Sequence, residues 1–505
     1  MFRIFGPPGT GKTTSLLNMV DKALEEGVPP QSIAFLAFTR KAANEAKERA
    51  ATRFNLNPKE DLIFFRTLHS LALTMSDIRP EQVMQEENYR ELSVAIGVAL
   101  GGQKNTSIDD DVPSMVASSD PVLGLINLAR LRKVDLRDQY NQSDLEEDWN
   151  TVQYVAKSLQ EYKEAMGLYD FTDMLDQFAK GGEKFCPQFE LCFLDEAQDL
   201  SPLQWDIAHL LDRRSKRMYC AGDDDQAIYR WAGADVDHFI NLPGGSETLS
   251  QSYRIPRHVH DVAENVVRRI ARRFPKRYEP REEPGSVRRI TTINSLDMTQ
   301  GDWLILSQAG YQLTPVANDL KSHGYLFNYR GRRSISEKVS EAVNGWEQLR
   351  KGREILGSVA RIIYSYMSVG NRLVRGFKKL PGIDDEDQVT FEGLAESHGL
   401  LADKAMIWSE AMDKLPELDR AYITALLRRG EKFNGEPRIT ASTIHGSKGG
   451  EADNVVLFTD LSPAADTQFQ INPDDTHRVF YVGVTRARKN LYIVDAEDLS
   501  RSYDL

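Results

Sequence analysis

Apolar residues recur along this chain in short runs that alternate with amphipathic stretches, the pattern of strands exchanging with helices in a parallel sheet. Phe2, Ile4 and Phe5 open the first run, and Leu16, Leu17, Val20 and Leu24 then fall on one side of a helix. Residues 32–39 have the length and flanks of a buried strand and lead into an alanine- and lysine-rich helix over residues 40–52. Residues 64–67 predict a third strand, with a turn at His69-Ser70. From about residue 75 to 182 the texture becomes helical and polar around a loose stretch from Gly101-Gly102 to Ser119, which reads as an inserted subdomain. Strands return at 189–194 and 217–221, each ending in acidic residues.

A second α/β unit is expected from near Glu247, with strands at 286–292 and 302–307, helical material over 334–430, and strands at 438–443 and 454–459. A helix over 478–489 and a strand at 491–494 close the pattern. The predicted fold class is therefore α/β: two units with parallel sheets, each interrupted by a mostly helical insertion. The expected division is 1–75 with 183–245, an insertion at 76–182, then 246–333 with 431–505, and an insertion at 334–430. No internal repeat is visible.

A length of 505 residues is too great for one core, and 41% apolar with 27% charged residues is globular composition. No apolar run approaches the ~20 residues a bilayer requires, so no membrane role is expected. The amino terminus runs straight toward a glycine-rich loop with no basic segment and apolar core, which predicts no secretory leader and a cytoplasmic protein. Cys186, Cys192 and Cys220 are too few for a disulfide framework or a four-thiolate cluster and are expected as reduced core residues. The net charge of −12 argues against a surface coated in phosphate-binding residues but leaves room for a local basic channel. Basic residues concentrate over 268–277 and 350–379, and acidic ones at 109–111 and 384–387; such runs are more often solvated faces than binding sites.

The chemistry centres on Gly6-Pro7-Pro8-Gly9-Thr10-Gly11-Lys12-Thr13, a glycine, four residues, glycine, lysine and hydroxyl placed between a strand and a helix. Backbone N–H groups of such a loop turn toward β- and γ-phosphates, Lys12 neutralises their charge, and Thr13 offers its hydroxyl to magnesium at the positive helix end. Asp195-Glu196, at the carboxyl end of a buried strand, belongs beside that loop because open α/β sheets bind ligands at their carboxyl edge. Asp195 is then the metal holder and Glu196 the residue that orients and deprotonates water.

An ordered series of segments resembles the superfamily 1 DNA helicases of the UvrD, Rep and PcrA type. It comprises 6–14, 37–43, 67–70, 194–199, 221–235, 249–254, 443–451 and 481–488, spanning almost the whole chain. The resemblance implies two RecA-like domains, ATP with Mg²⁺ between them, and single-stranded DNA and duplex junctions as partners. It further implies 3′ to 5′ translocation, a cytoplasmic setting at a nucleoid or in a virus-infected cell, and replication or repair proteins as associates. By position, Gly6 to Thr14 hold the nucleotide phosphates, Thr13 and Asp195 the metal, and Glu196 is the base. Gln226 matches the γ-phosphate sensor, Arg254 and Arg486 two arginine fingers, Tyr253 the adenine-stacking residue and Glu451 a nucleotide contact. Phe38, Thr39, Arg40, His69, Tyr229, Trp231, Thr443 and His445 match DNA-contacting positions.

The aromatic members suit a sequence-blind strand binder, since each stacked base contributes ~1–3 kcal/mol. Three departures stand out. The chain begins close to the loop, without the upstream segment whose glutamine reads adenine, so strict selectivity for ATP over GTP is not implied. Ala232 occupies a position where many relatives carry arginine, and Gly450 replaces a more usual leucine. A nucleotide-switched binding module would use the same motifs; a P-loop kinase or small GTPase would not need the two distant arginines, and no segment remains for a nuclease domain.

Overall fold

The computed structural model describes residues 1–38, 40–101, 120–432 and 435–505, with the backbone alone at residue 41. Apolar strand residues with β-branched or aromatic side chains pack on both faces of two parallel sheets. The first contains β1 (Phe2–Phe5), β2 (Ile33–Ala37), β3 (Phe65–Thr67), β4 (Phe189–Leu194), β5 (Ser215–Gly222) and β6 (Ser246–Thr248). Its order is β3-β2-β4-β5-β1-β6, and every pairing is parallel. All five residues of β2 are buried, which explains why it reads as continuous apolar sequence instead of alternating. Helix Lys12–Glu25 buries Leu16, Leu17 and Val20 on one face of this sheet.

The chain forms two compact units, Met1–Pro284 with Gln468–Thr485, and Gly285–Thr467 with Arg486–Leu505. This partition does not coincide with the boundary expected at residue 246. β6 extends the first sheet alongside β1, and β7 (Gln251–Pro256), paired with β8 (Glu279–Arg281), lies against the glycine-rich loop. Helix Arg257–Val267 packs on helix Pro473–Val484 within the same unit. Between β3 and β4 the described residues form helices Glu86–Ile96, Pro121–Arg132, Leu136–Asn141, Trp149–Met166 and Phe171–Gly181. Most of the loose stretch expected at 101–119 lies outside the described residues.

The second unit holds a sheet of β9 (Ser286–Ile290), β10 (Trp303–Ser307), β11 (Phe327–Tyr329), β12 (Arg332–Arg333), β15 (Ile439–Thr443), β16 (Ala452–Phe458) and β17 (Ala487–Val494). The order is β12-β11-β15-β10-β16-β17-β9, parallel except for β11 with β12. A small antiparallel pair, β13 (Ile355–Leu356) and β14 (Gln388–Val389), accompanies helices Glu337–Arg350, Gly357–Ser365, Phe391–Ser397 and Glu417–Arg429 between β12 and β15.

Two local expectations are corrected. His69-Ser70 is not a turn but part of helix Leu68–Met75, because the Thr67 hydroxyl accepts from Ser70 N–H and caps the helix start. The expected helix over 478–489 ends at Val484, and Ala487-Arg488-Lys489 already belong to β17, paired with β16. All three cysteines are free and buried. No described helix is long and apolar enough to cross a membrane.

Candidate nucleotide and nucleic-acid site

Carboxyl ends of β1, β4 and β5 converge on one polar cluster. The loop leaving β1 turns through Gly9 and Gly11, both with left-handed backbone (φ +71° and +75°), a conformation that costs glycine nothing. A side chain at Gly9 would also collide with Cβ of Arg254 and crowd Ser252. Thr10 closes the turn through its N–H and hydroxyl, both donating to the Pro7 carbonyl at 3.2 and 2.8 Å. Gly11 then begins the helix, leaving its first N–H groups and its positive end beside Lys12 and Thr13.

Lys12 Nζ pairs with Glu196 Oε1 at 2.6 Å. Burial alone would lower the ammonium, but Glu196 and Asp195 outweigh it and hold Lys12 above its ordinary range. Thr13 donates its hydroxyl to Asp195 Oδ2 at 2.6 Å. Burial pushes the Asp195 carboxyl up, opposed by Lys12. Glu196 is held in left-handed conformation (φ 56°), unusual for a residue with a side chain and worth ~1–3 kcal/mol of strain that its neighbours must offset.

Those neighbours include Gln198, which carried no role in the sequence reading although it stands inside the matching segment. Its amide donates to Glu196 Oε2 at 2.5 Å and to Asp199 Oδ2 at 3.1 Å, while its carbonyl accepts from Asp223 N–H at 2.9 Å. Gln226 is buried and donates to Asp223 Oδ2 at 2.6 Å.

The oxygen donors Thr13 and Asp195 fit a hard cation such as Mg²⁺. Among the described residues no group of three or more His, Cys, Asp or Glu could hold a metal by itself, so a cation here would complete its shell from phosphate and water.

Across the loop, Ser252 donates to the Pro8 carbonyl at 2.8 Å, and Tyr253 N–H donates to the Gly9 carbonyl at 2.8 Å. Arg254 therefore sits against the loop, and the Tyr253 ring is left 74% exposed at a groove also lined by Gln251, Arg281, Glu282 and Glu283.

Downstream of Gln226 the same segment carries Tyr229 and Trp231. Tyr229 is buried, with its ring stacked near Phe38 (centroids 5.9 Å apart), and Trp231 meets Tyr229 edge-on at 6.4 Å. Trp231 is 47% exposed and is not a core residue. Arg40 opens helix Arg40–Phe54 after β2, and His69 lies in the helix after β3. Burial pulls the His69 imidazole down to about 4, so it is neutral near pH 7. Thr39 lies outside the described residues.

Four predicted residues belong to the second unit. Thr443 ends β15 and accepts from Gly446 N–H at 3.1 Å; His445 follows in a short 3₁₀ turn. Glu451 is exposed and 3.6 Å from Arg488, and Arg486 is fully buried, donating to the Gly450 carbonyl at 3.1 Å.

The basic run at 268–277 is only partly a solvated face. The Lys276 side chain is 1% exposed and touches Asp223, Asp224 and Asp225 at 3.1, 2.6 and 2.6 Å; Arg273 grips Asp225 with two hydrogen bonds of 2.8 and 2.6 Å. Arg478, also buried, donates to the Asp224 carbonyl at 3.0 Å. Burial pushes the Asp224 carboxyl up to about 6 despite Lys276.

The family described as UvrD/REP helicase N-terminal domain matches residues 2–244, and that of the UvrD-like helicase C-terminal domain matches residues 438–494. Curated relatives include proteins named ATP-dependent DNA helicase PcrA from Leuconostoc citreum (27% identical over 277 residues) and Bacillus subtilis (27% over 286). One from Staphylococcus aureus is 24% identical over 280 residues. Each match covers 52% of this chain and little more than a third of the relative, 36% for the first two and 37% for the third. With both family regions in order and covering more than half of its length, the chain belongs to the UvrD-like helicase family.

Proposed function

We propose that this protein couples ATP hydrolysis to movement along single-stranded DNA and to strand separation at duplex junctions, running 3′ to 5′. The observation that supports this best is the pairing of loop and strand-end residues beside a segment that carries an exposed aromatic ring. Lys12 meets Glu196, Thr13 meets Asp195, and Gln226 stands five residues before the exposed Trp231.

In this reading Lys12 and the loop from Gly6 to Thr14 bind the phosphates, and Glu196 takes a proton from the attacking water. Mg²⁺, held by Thr13 and Asp195, would neutralise charge on the phosphate oxygens. Tyr253 stacks on the base, Glu451 contacts the nucleotide, and Arg254 and Arg486 act as arginine fingers. Phe38, Tyr229 and Trp231 form the aromatic face toward DNA, with Thr39, Arg40, His69, Thr443 and His445 along the strand. A neutral His69 would contribute a hydrogen bond and not a charge. The RecA-like domains are built on the two sheets, with the helical insertions at 76–182 and 334–430. The direction is carried over from the UvrD and Rep branch of the family. The setting implied is the cytoplasm, at DNA under replication or repair.

ATP hydrolysis with and without a single-stranded oligonucleotide, followed by displacement from duplexes bearing a 3′ or a 5′ tail, tests this. DNA-stimulated turnover and displacement from the 3′ tail are expected. Stimulated turnover without displacement would identify a nucleotide-switched binder, and displacement from the 5′ tail alone would reverse the direction.

A further inference from the structure

Gln198 joins two parts of the site that the family reading treats separately. We propose that it is a positioning residue, which holds Glu196 and the Gln226 segment in one register; this rests on the ATPase reading above.

The geometry admits one orientation of the amide. Two carboxylate oxygens, from Glu196 and Asp199, require its NH₂, and the Asp223 N–H requires its carbonyl. Gln198 is fully buried, so these bonds form without competition from water. The close approach depends on Gly222, because any side chain there would strike the Gln198 carbonyl oxygen and the ring of Phe239. Beyond Asp223 the relay continues in two directions. One carboxylate oxygen accepts from Gln226 and the other faces Lys276. A shift of the Gln226 segment is therefore transmitted to the Glu196 carboxylate through a single amide, and the left-handed Glu196 backbone is held from its side-chain end by that amide and by Lys12.

Two variants test the assignment. Gln198→Met keeps the length and removes all three hydrogen bonds. DNA-stimulated kcat should fall roughly 10- to 100-fold, the scale of an ångström's misplacement, with KM for ATP nearly unchanged. Gln198→Glu supplies the control that a space-filling role would not move. Protonated, its carboxyl donates its single proton to Glu196 and accepts from Asp223, keeping two of the amide's three bonds; ionised, it faces Glu196 and Asp199 as a third negative charge. Burial beside those carboxylates raises its pKa, so kcat relative to the unaltered protein should be close to one at about pH 6 and decline toward about pH 9.

A Gln198→Met protein with unaltered kcat overturns the proposal. So does a Gln198→Glu protein whose relative kcat is the same at both pH values, whether or not Gln198→Met folds. Absence of ATP hydrolysis in the unaltered protein would instead remove the functional reading on which the proposal rests.

Discussion

Two lysines meet carboxylates at the carboxyl edge of the first sheet, and they differ in how far water reaches them. Lys12 faces Glu196, a carboxylate left 30% exposed, whereas Lys276 and its three aspartates are essentially sealed. An accessible pair can exchange one partner for a phosphate at modest cost. A sealed cluster cannot, since each buried charge depends on the others being present. The first arrangement suits turnover; the second fixes the chain that carries Asp223 and Gln226.

Substitutions separate the two. Lys12→Ala should abolish ATP turnover while leaving the denaturation midpoint close to that of the unaltered protein, and Glu196→Gln should bind ATP yet hydrolyse it very slowly. Rapid hydrolysis by the glutamine variant, measured in single-turnover experiments, would remove Glu196 from the base role. Lys276→Met should do the reverse. Leaving three buried carboxylates without their ammonium is expected to cost about 3–5 kcal/mol of stability. Urea denaturation checks this, and an unchanged midpoint would mean the cluster is not sealed in solution.

A smaller effect lies in Asp224. Its folded carboxyl keeps a proton to about pH 6, against an ordinary value of 3.8. Between those values the folded state binds more protons than the unfolded one, so this group's contribution to stability is full below about pH 4 and is lost as pH rises through 6. Asp224→Asn should flatten that part of the stability profile in a pH series of melting curves; an identical slope would place the charge surplus elsewhere.

The contrast also explains what was legible in the sequence. The glycine-rich loop, β4 and β5 were readable because local pattern determines them: an apolar run, then a turn residue or an acid at its end. Lys276 and Arg273 were not, because their partners lie about fifty residues away and a basic run looks the same whether its charges meet water or buried aspartates. Gln198 stood in plain view within Asp195-Glu196-Ala197-Gln198-Asp199, but only the packing of β5 beside it gives the amide carbonyl its partner. The turn expected at His69 failed for a local reason, since Thr67 caps a helix as readily as it ends a strand.

In the proposed function one segment carries a γ-phosphate sensor, Gln226, at one end and a DNA-stacking ring, Trp231, at the other. Measuring melting temperature and single-stranded DNA affinity together on Trp231→Ala tests it most directly. The melting temperature should be unchanged, because the ring is half exposed, and affinity weakened by about 1–3 kcal/mol for one lost stack, with DNA unwinding reduced. Unchanged affinity, or a melting temperature lowered as for a core truncation of about 3–5 kcal/mol, would contradict it.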